Sequence, residues 1–166
     1  MKRFNREGSD MTVSKKKLER LETWMIVLDA GADIFKEIRS VFEDSDWEEA
    51  VIINAIGSVR KGIIRYPKTQ DLPPVVVTEV YEGSFELTSM VGTIRKQEGA
   101  TNLHIHASFA DKGNHFYGGA FVEGSTVYKK LEIFLIVKPG DKRKKLSVIK
   151  CQDQKWNTSK KTKAPD

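Results

Sequence analysis

The chain has one cysteine, Cys151, in 166 residues. That excludes an internal disulfide framework and any zinc site built from several thiolates, and it fits a reducing, cytoplasmic setting. No apolar run approaches the roughly 20 residues needed to span a bilayer, and no apolar segment follows the lysine-rich start as it would in a secretory leader. The expectation is a protein neither secreted nor membrane-spanning. Catalytic motifs are equally scarce: the sequence contains no P-loop, no Gly-x-Ser-x-Gly elbow, no His-Glu-x-x-His helix and no Gly-x-Gly-x-x-Gly after a strand. Ser89 and Ser108 read as ordinary strand serines, and Cys151 lies in "LSVIKCQD", a terminal strand pattern in which a small apolar side chain packs. Binding therefore leads catalysis as the expectation, no residue stands out as catalytic, and the question of enzyme activity stays open.

Positive charge is present but unevenly placed. The net charge of +5 divides into 7 Lys/Arg against 3 Asp/Glu in residues 1–21, 11 against 17 in 22–137, and 10 against 3 in 138–166. Basic ends thus flank an acidic body, which is not the even basic surface of a typical nucleic-acid-binding domain. The ends also lack hydrophobic periodicity. Residues 1–20 and 152–166 read as basic tails around one domain over 21–151, with no linker or internal repeat dividing it.

Within the domain, "TWMIVLD" (23–29) is a strand candidate and "AGAD" a turn into a helix. From Asp33 onward, Ile34, Phe35, Ile38, Val41 and Phe42 recur on one face of a 3.6-residue period. Seven or more strands follow: "AVIINAIGSV", "KGIIRY", "PVVVTEVYEG", "SFELTSMVGTIR", "NLHIHASFA", "HFYGGAFV", "STVYKKLEIFLIV" and "KLSVIKC", divided by Pro67, Pro73-Pro74 and glycine turns. One helix and many short-linked strands predict an α+β fold with a largely antiparallel sheet and the helix on one face. Strands such as "AVIINAIG" and "LEIFLIV" are apolar on both faces, and one helix can cover only part of them. A subunit interface would cover the remainder.

Two stretches carry candidate chemistry. In "TNLHIHASFAD", His104 and His106 are two residues apart on a strand, so both project from one face about 6.6 Å apart along the chain. They could clamp a divalent metal such as zinc, with Asp111 and His115 as further candidate ligands, or be water-bonded strand histidines. In "KPGDKRKKL", Lys142, Arg143, Lys144 and Lys145 are consecutive. With Lys15, Lys16 and Lys17 near one end and Lys160 and Lys161 near the other, they could neutralise phosphates in a sequence-independent way, or form a solvated turn. Only Trp156 lies near these cations, so stacking on single-stranded bases is not indicated.

Taken in order, "NAIGSVRKGIIRYP", "YEGSFELTSMVGTI" and "LHIHASFADKGNHFYGGAFVEGSTVYKKLEIFLI" resemble the PPC domain, the plants and prokaryotes conserved domain. The likeness covers roughly 23–137 and rests on Gly57, on Gly83, Phe85, Glu86 and Leu87, on Gly92, on His104 and His106, on Asp111, and on Gly118, Gly119 and Gly124. The resemblance implies a compact α+β domain assembling as a homotrimer, with DNA contact and partner binding in the plant members. Two departures are visible. Ala120 stands where many prokaryotic relatives place a third histidine, and the Arg-Gly-Arg-Pro core of an AT-hook is absent. The leading expectation is a non-enzymatic homotrimer that contacts DNA through its basic tails and the 142–145 loop. Binding of another protein through 83–88 is a further expectation. The alternative is a metal- or small-molecule-binding protein, which could be an enzyme, with its site at His104 and His106 near a subunit boundary.

Overall fold

A computed structural model describes residues 17–140. Its elements are β1 (Glu22–Asp29), α1 (Ile34–Asp44), β2 (Trp47–Pro67), β3 (Val76–Gln97), β4 (Ala100–Ala110), β5 (Phe116–Phe121) and β6 (Thr126–Pro139). They form one six-stranded antiparallel sheet in the order β1-β6-β2-β3-β4-β5, with the single helix against it, so the domain is α+β as expected. The "KLSVIKC" strand, residues 1–16 of the first tail and the whole of the second lie outside the described residues.

The helix forms where the periodicity places it. Asp33 caps its start, the carboxylate accepting from the Phe35 and Lys36 amides at 3.1 Å each, which satisfies two of the amides a first helical turn leaves unpaired. Ser45 ends it, donating from its hydroxyl to the Phe42 carbonyl at 2.9 Å. Ile34, Phe35, Ile38 and Phe42 are buried against the sheet, and each contributes about 1.5–3 kcal/mol through area removed from water.

The strand count is corrected. "AVIINAIGSV" and "KGIIRY" are one 21-residue strand, β2, and "PVVVTEVYEG" and "SFELTSMVGTIR" are one 22-residue strand, β3. The candidates divide at Arg60 and after Gly83. The strands pass through them as register shifts, because a bulge absorbs an irregular residue without ending the ladder.

Length lets β2 serve two neighbours. Its first two-thirds pair with β6, and near its end Ile64 and Arg65 pair with Phe121 and Ala120 of β5. This closes β2-β3-β4-β5 into a small barrel filled by Phe85, Phe109, Phe121, Ile64 and Ile105. Gly119, at φ +156°, sits where that closure occurs, and a Cβ there would lie 3.0 Å from the Arg65 carbonyl. The backbone that approaches Gly119 closely is the chain's own β2.

Candidate functional site

In β4 the side chains of Ile105, Ala107 and Phe109 are buried in the barrel, so His104 and His106 alternate outward and are exposed. Their Nε2 atoms are 3.2 Å apart, a hydrogen bond in which one ring donates and the other accepts. The same spacing suits a shared ion: two ligands about 2.05 Å from a tetrahedral metal lie about 3.3 Å from each other. The two imidazoles supply half of such a shell. Among the described residues no group of three His, Cys, Asp or Glu side chains could hold a metal ion. Ala120 is the register partner of His106, so the position lacking a third imidazole faces the pair directly.

Asp111 and His115 are elsewhere. They form the β4–β5 hairpin turn, with Phe116 opposite Ala110, four residues along the ladder from His106 and so roughly 14 Å away. Asp111 braces this turn, its carboxylate accepting from the Gly113 amide (2.7 Å), the His115 amide (3.0 Å), His115 Nδ1 (3.0 Å) and the Tyr117 hydroxyl (3.1 Å). These bonds, the His115 amide first, pull its pKa down to about 2. The structure thus brings His104 and His106 together and does not bring Asp111 or His115 to them.

The glycine-phenylalanine motif divides by strand alternation. Phe85 and Leu87 are buried, Phe85 packing on Phe109 at a ring separation of 5.1 Å, while Gly83, Ser84, Glu86 and Thr88 remain exposed. Gly92 lies mid-strand between Ile52 and Ile105, and Gly124 in the turn before β6. Sequence reasoning passed over two features. Glu79 accepts hydrogen bonds from Tyr66 and Tyr81, which hold its carboxyl below the usual range and push Tyr81 up to about 12. Arg60 and Lys61 lie at a double irregularity in the middle of the sheet. The Glu-x-Tyr spacing on one strand face signals the first and the adjacent cations inside an apolar run signal the second.

The histidine pair shares its face with apolar side chains. One row of register partners crosses five strands, from His104 through Thr93, Val51 and Ile136 to Thr23. Around it lie Met25, Val27, Ile56 and Val91, each more than a third exposed, with Phe134 partly covered. No described element packs over this face, because α1 occupies the opposite one. As for the tails, Lys17 is described and pairs with Glu19 at 2.9 Å. Lys15, Lys16, Lys142, Arg143, Lys144, Lys145, Lys160 and Lys161 lie outside the described residues. The places where both tails join the body are fixed, however: Glu22 at the start of β1 is the register partner of Val137 near the end of β6.

These features define a class: a single-domain α+β protein with a closed antiparallel core and an open, apolar sheet face bearing a histidine pair. The chain belongs to the Plants and Prokaryotes Conserved (PCC) domain family, whose model matches residues 15–138. Among solved structures, it is similar to a plant- and prokaryote-conserved protein from Pyrococcus horikoshii, with 25% identity over 77% of this chain and 85% of that one and a TM-score of 0.63. A metal-containing protein from Archaeoglobus fulgidus matches at 24% identity over 78% and 88%, TM-score 0.64. One from Bacteroides thetaiotaomicron, described as a candidate DNA-binding protein, matches at 16% over 78% and 85%, TM-score 0.61. No curated protein matches the sequence. Among the described residues no helix is long and apolar enough to cross a membrane.

Proposed function

We propose that the protein is a cytoplasmic, non-enzymatic homotrimer that binds DNA non-specifically through its basic ends. The observation carrying this reading is the adjacency of Glu22 and Val137, on neighbouring strands about 4.8 Å apart. It brings the roots of both basic stretches to one end of an acidic body. Charge that is diluted along the sequence is thereby collected at one place, and a trimer would present three such places to one duplex, turning modest contacts into avidity. The domain division supporting this is a basic tail over 1–20, the folded body from 21 and a basic tail over 152–166. The exposed parts of 83–88, Glu86 and Thr88 among them, leave room for a protein partner.

Deleting 1–20 and 152–166 and neutralising Lys142, Arg143, Lys144 and Lys145 is expected to abolish retention on double-stranded DNA. In the parent, retention should fall about 10³-fold between 50 and 200 mM salt, as counterion release requires for some six phosphate contacts. Undiminished retention by the altered protein would refute the reading.

The 3.2 Å separation of the imidazole nitrogens favours a second reading, in which His104 and His106 hold a divalent metal on the trimer-facing side. The pair fits half of a tetrahedral shell, and a bound metal would act there as a Lewis acid or a structural clamp, with remaining ligands from water or a neighbouring subunit. Equilibrium dialysis against zinc should then show binding that His104→Ala removes. Equal zinc uptake by parent and variant would rule it out.

A further inference from the structure

We propose that the irregularity at Arg60 forms an oxyanion site for a phosphate group, separate from the tails and from the histidine pair. Against β3, Val59 pairs with Phe85 but Lys61 with Glu82, so one residue of β2 faces two, Gly83 and Ser84. Against β6, Val59 and Lys61 pair with the consecutive residues Val127 and Thr126, so Arg60 faces none. Both ladders break at the same residue of the strand that crosses the sheet's middle. Bulges of this kind re-aim a side chain out of the pleat.

What the break opens is a hollow of about 590 Å³, lined by Arg60, Lys61, Glu82, Ser84, Thr126 and Tyr128. The Arg60 guanidinium and the hydroxyls of Ser84, Thr126 and Tyr128 have no hydrogen-bond or ion-pair partner among the described residues. Lys61 is held only loosely, 3.8 Å from Glu82, with both side chains well exposed. Lys129 lies beside the hollow, its ammonium 5.8 Å from the centre of the Tyr128 ring. In a body where acids outnumber bases 17 to 11 over residues 22–137, the lining of this hollow carries two cations, Arg60 and Lys61, against one carboxylate, Glu82, a local reversal of charge. A planar guanidinium, an ammonium and three hydroxyl donors around one open hollow match the several acceptor oxygens of a phosphate. Arginine can bind such a group through two parallel hydrogen bonds. The phosphate could belong to a small phosphate monoester or to a DNA backbone, and the chemistry at Arg60 is the same for both.

The test follows backbone amide resonances of the full chain by NMR during titration with inorganic phosphate, then with adenosine 5′-monophosphate, against chloride at matched ionic strength. Saturable shifts at Arg60, Ser84 and Thr126 are expected with phosphate and not with chloride. Arg60→Gln should weaken them at least about tenfold, the loss typical of a charged hydrogen bond, and Arg60→Lys should weaken them less. Arg60 is exposed, so neither change threatens folding, and Lys68→Gln, outside the hollow, should alter nothing. A 20-base-pair duplex added to the full chain with its tail lysines and arginines changed to Gln separates the sources. Arg60-dependent duplex binding assigns the site to backbone phosphate, and monoester binding without duplex binding assigns it to a small molecule. Phosphate acting only as chloride does, or equal shifts in parent and Arg60→Gln, would overturn the proposal. Either result leaves the tail reading to stand or fall on the deletion experiment.

Discussion

Gly57→Val leaves the protein close to or beyond the limit of folding, and Gly57→Ala costs about 2–6 kcal/mol. Gly57 lies mid-way along β2 with partners on both sides, Leu87 of β3 and Leu131 of β6. Its φ is +147°, in the region L side chains avoid, and a Cβ would stand 2.2 Å from the Lys130 carbonyl oxygen and 2.8 Å from the Leu131 Cα. Both neighbours are backbone in a paired strand, so nothing flexible can give way. Backbone strain contributes about 1–3 kcal/mol and overpacking a similar amount, against a total stability of about 5–15 kcal/mol for a typical domain. Urea unfolding of Gly57→Ala reads the loss directly. Gly99→Ala is the control, since Gly99 has φ +81° but open space around its missing Cβ, and should lose only the strain. A Gly57→Ala midpoint equal to that of Gly99→Ala would show that the close approach at β6 is not a constraint.

The second large effect concerns assembly. If the proposed trimer is built on the open sheet face, Ile56→Asp with Val91→Asp should convert the species seen in sedimentation from three chains to one at micromolar concentration, with the single-chain fold retained. Ile56 is 61% and Val91 45% exposed on the isolated chain, so two aspartates there meet water and cost the monomer little. In a trimer built on this face the same carboxylates would be buried without partners, at several kcal/mol each, enough to raise the dissociation midpoint more than about 100-fold. The face holds Met25 and Val27 as well, and apolar patches of this extent on a sheet usually mark contact surfaces. An unchanged trimer would place the interface elsewhere, and a monomeric parent would remove the trimer from the functional reading.

The helix, the fold class and the shared strand face of the histidine pair were legible because each rests on a local period. The run of Ile34, Phe35, Ile38 and Phe42 specifies a helix face wherever it occurs, and a His-x-His on a strand puts both rings on one face, which the burial of Ile105 and Ala107 makes the outer one. The strand boundaries were less legible. The sequence divides this stretch at Arg60, yet β2 continues through it because its neighbours pair with it on both sides of the irregularity. Asp111 and His115 could not be separated from the histidine pair by spacing alone, since a hairpin's register decides whether residues ten positions apart meet. Tyr66, Glu79 and Tyr81 were passed over for a related reason: their contact spans two strands paired by a long hairpin.

The sequence by itself determined the alternation of buried and exposed side chains, the single capped helix, the basic ends around an acidic middle and the membership of two histidines in one strand face. Those are short-range properties, set by backbone geometry and by the ordering of residue types. Only the tertiary structure decided that β2 bends far enough to close a barrel with β5, that Ala120 faces His106, that Glu22 and Val137 lie side by side and that both ladders of β2 shift register at Arg60. Each of these depends on which strands pair and in what register, and pairing is settled by the whole core packing at once.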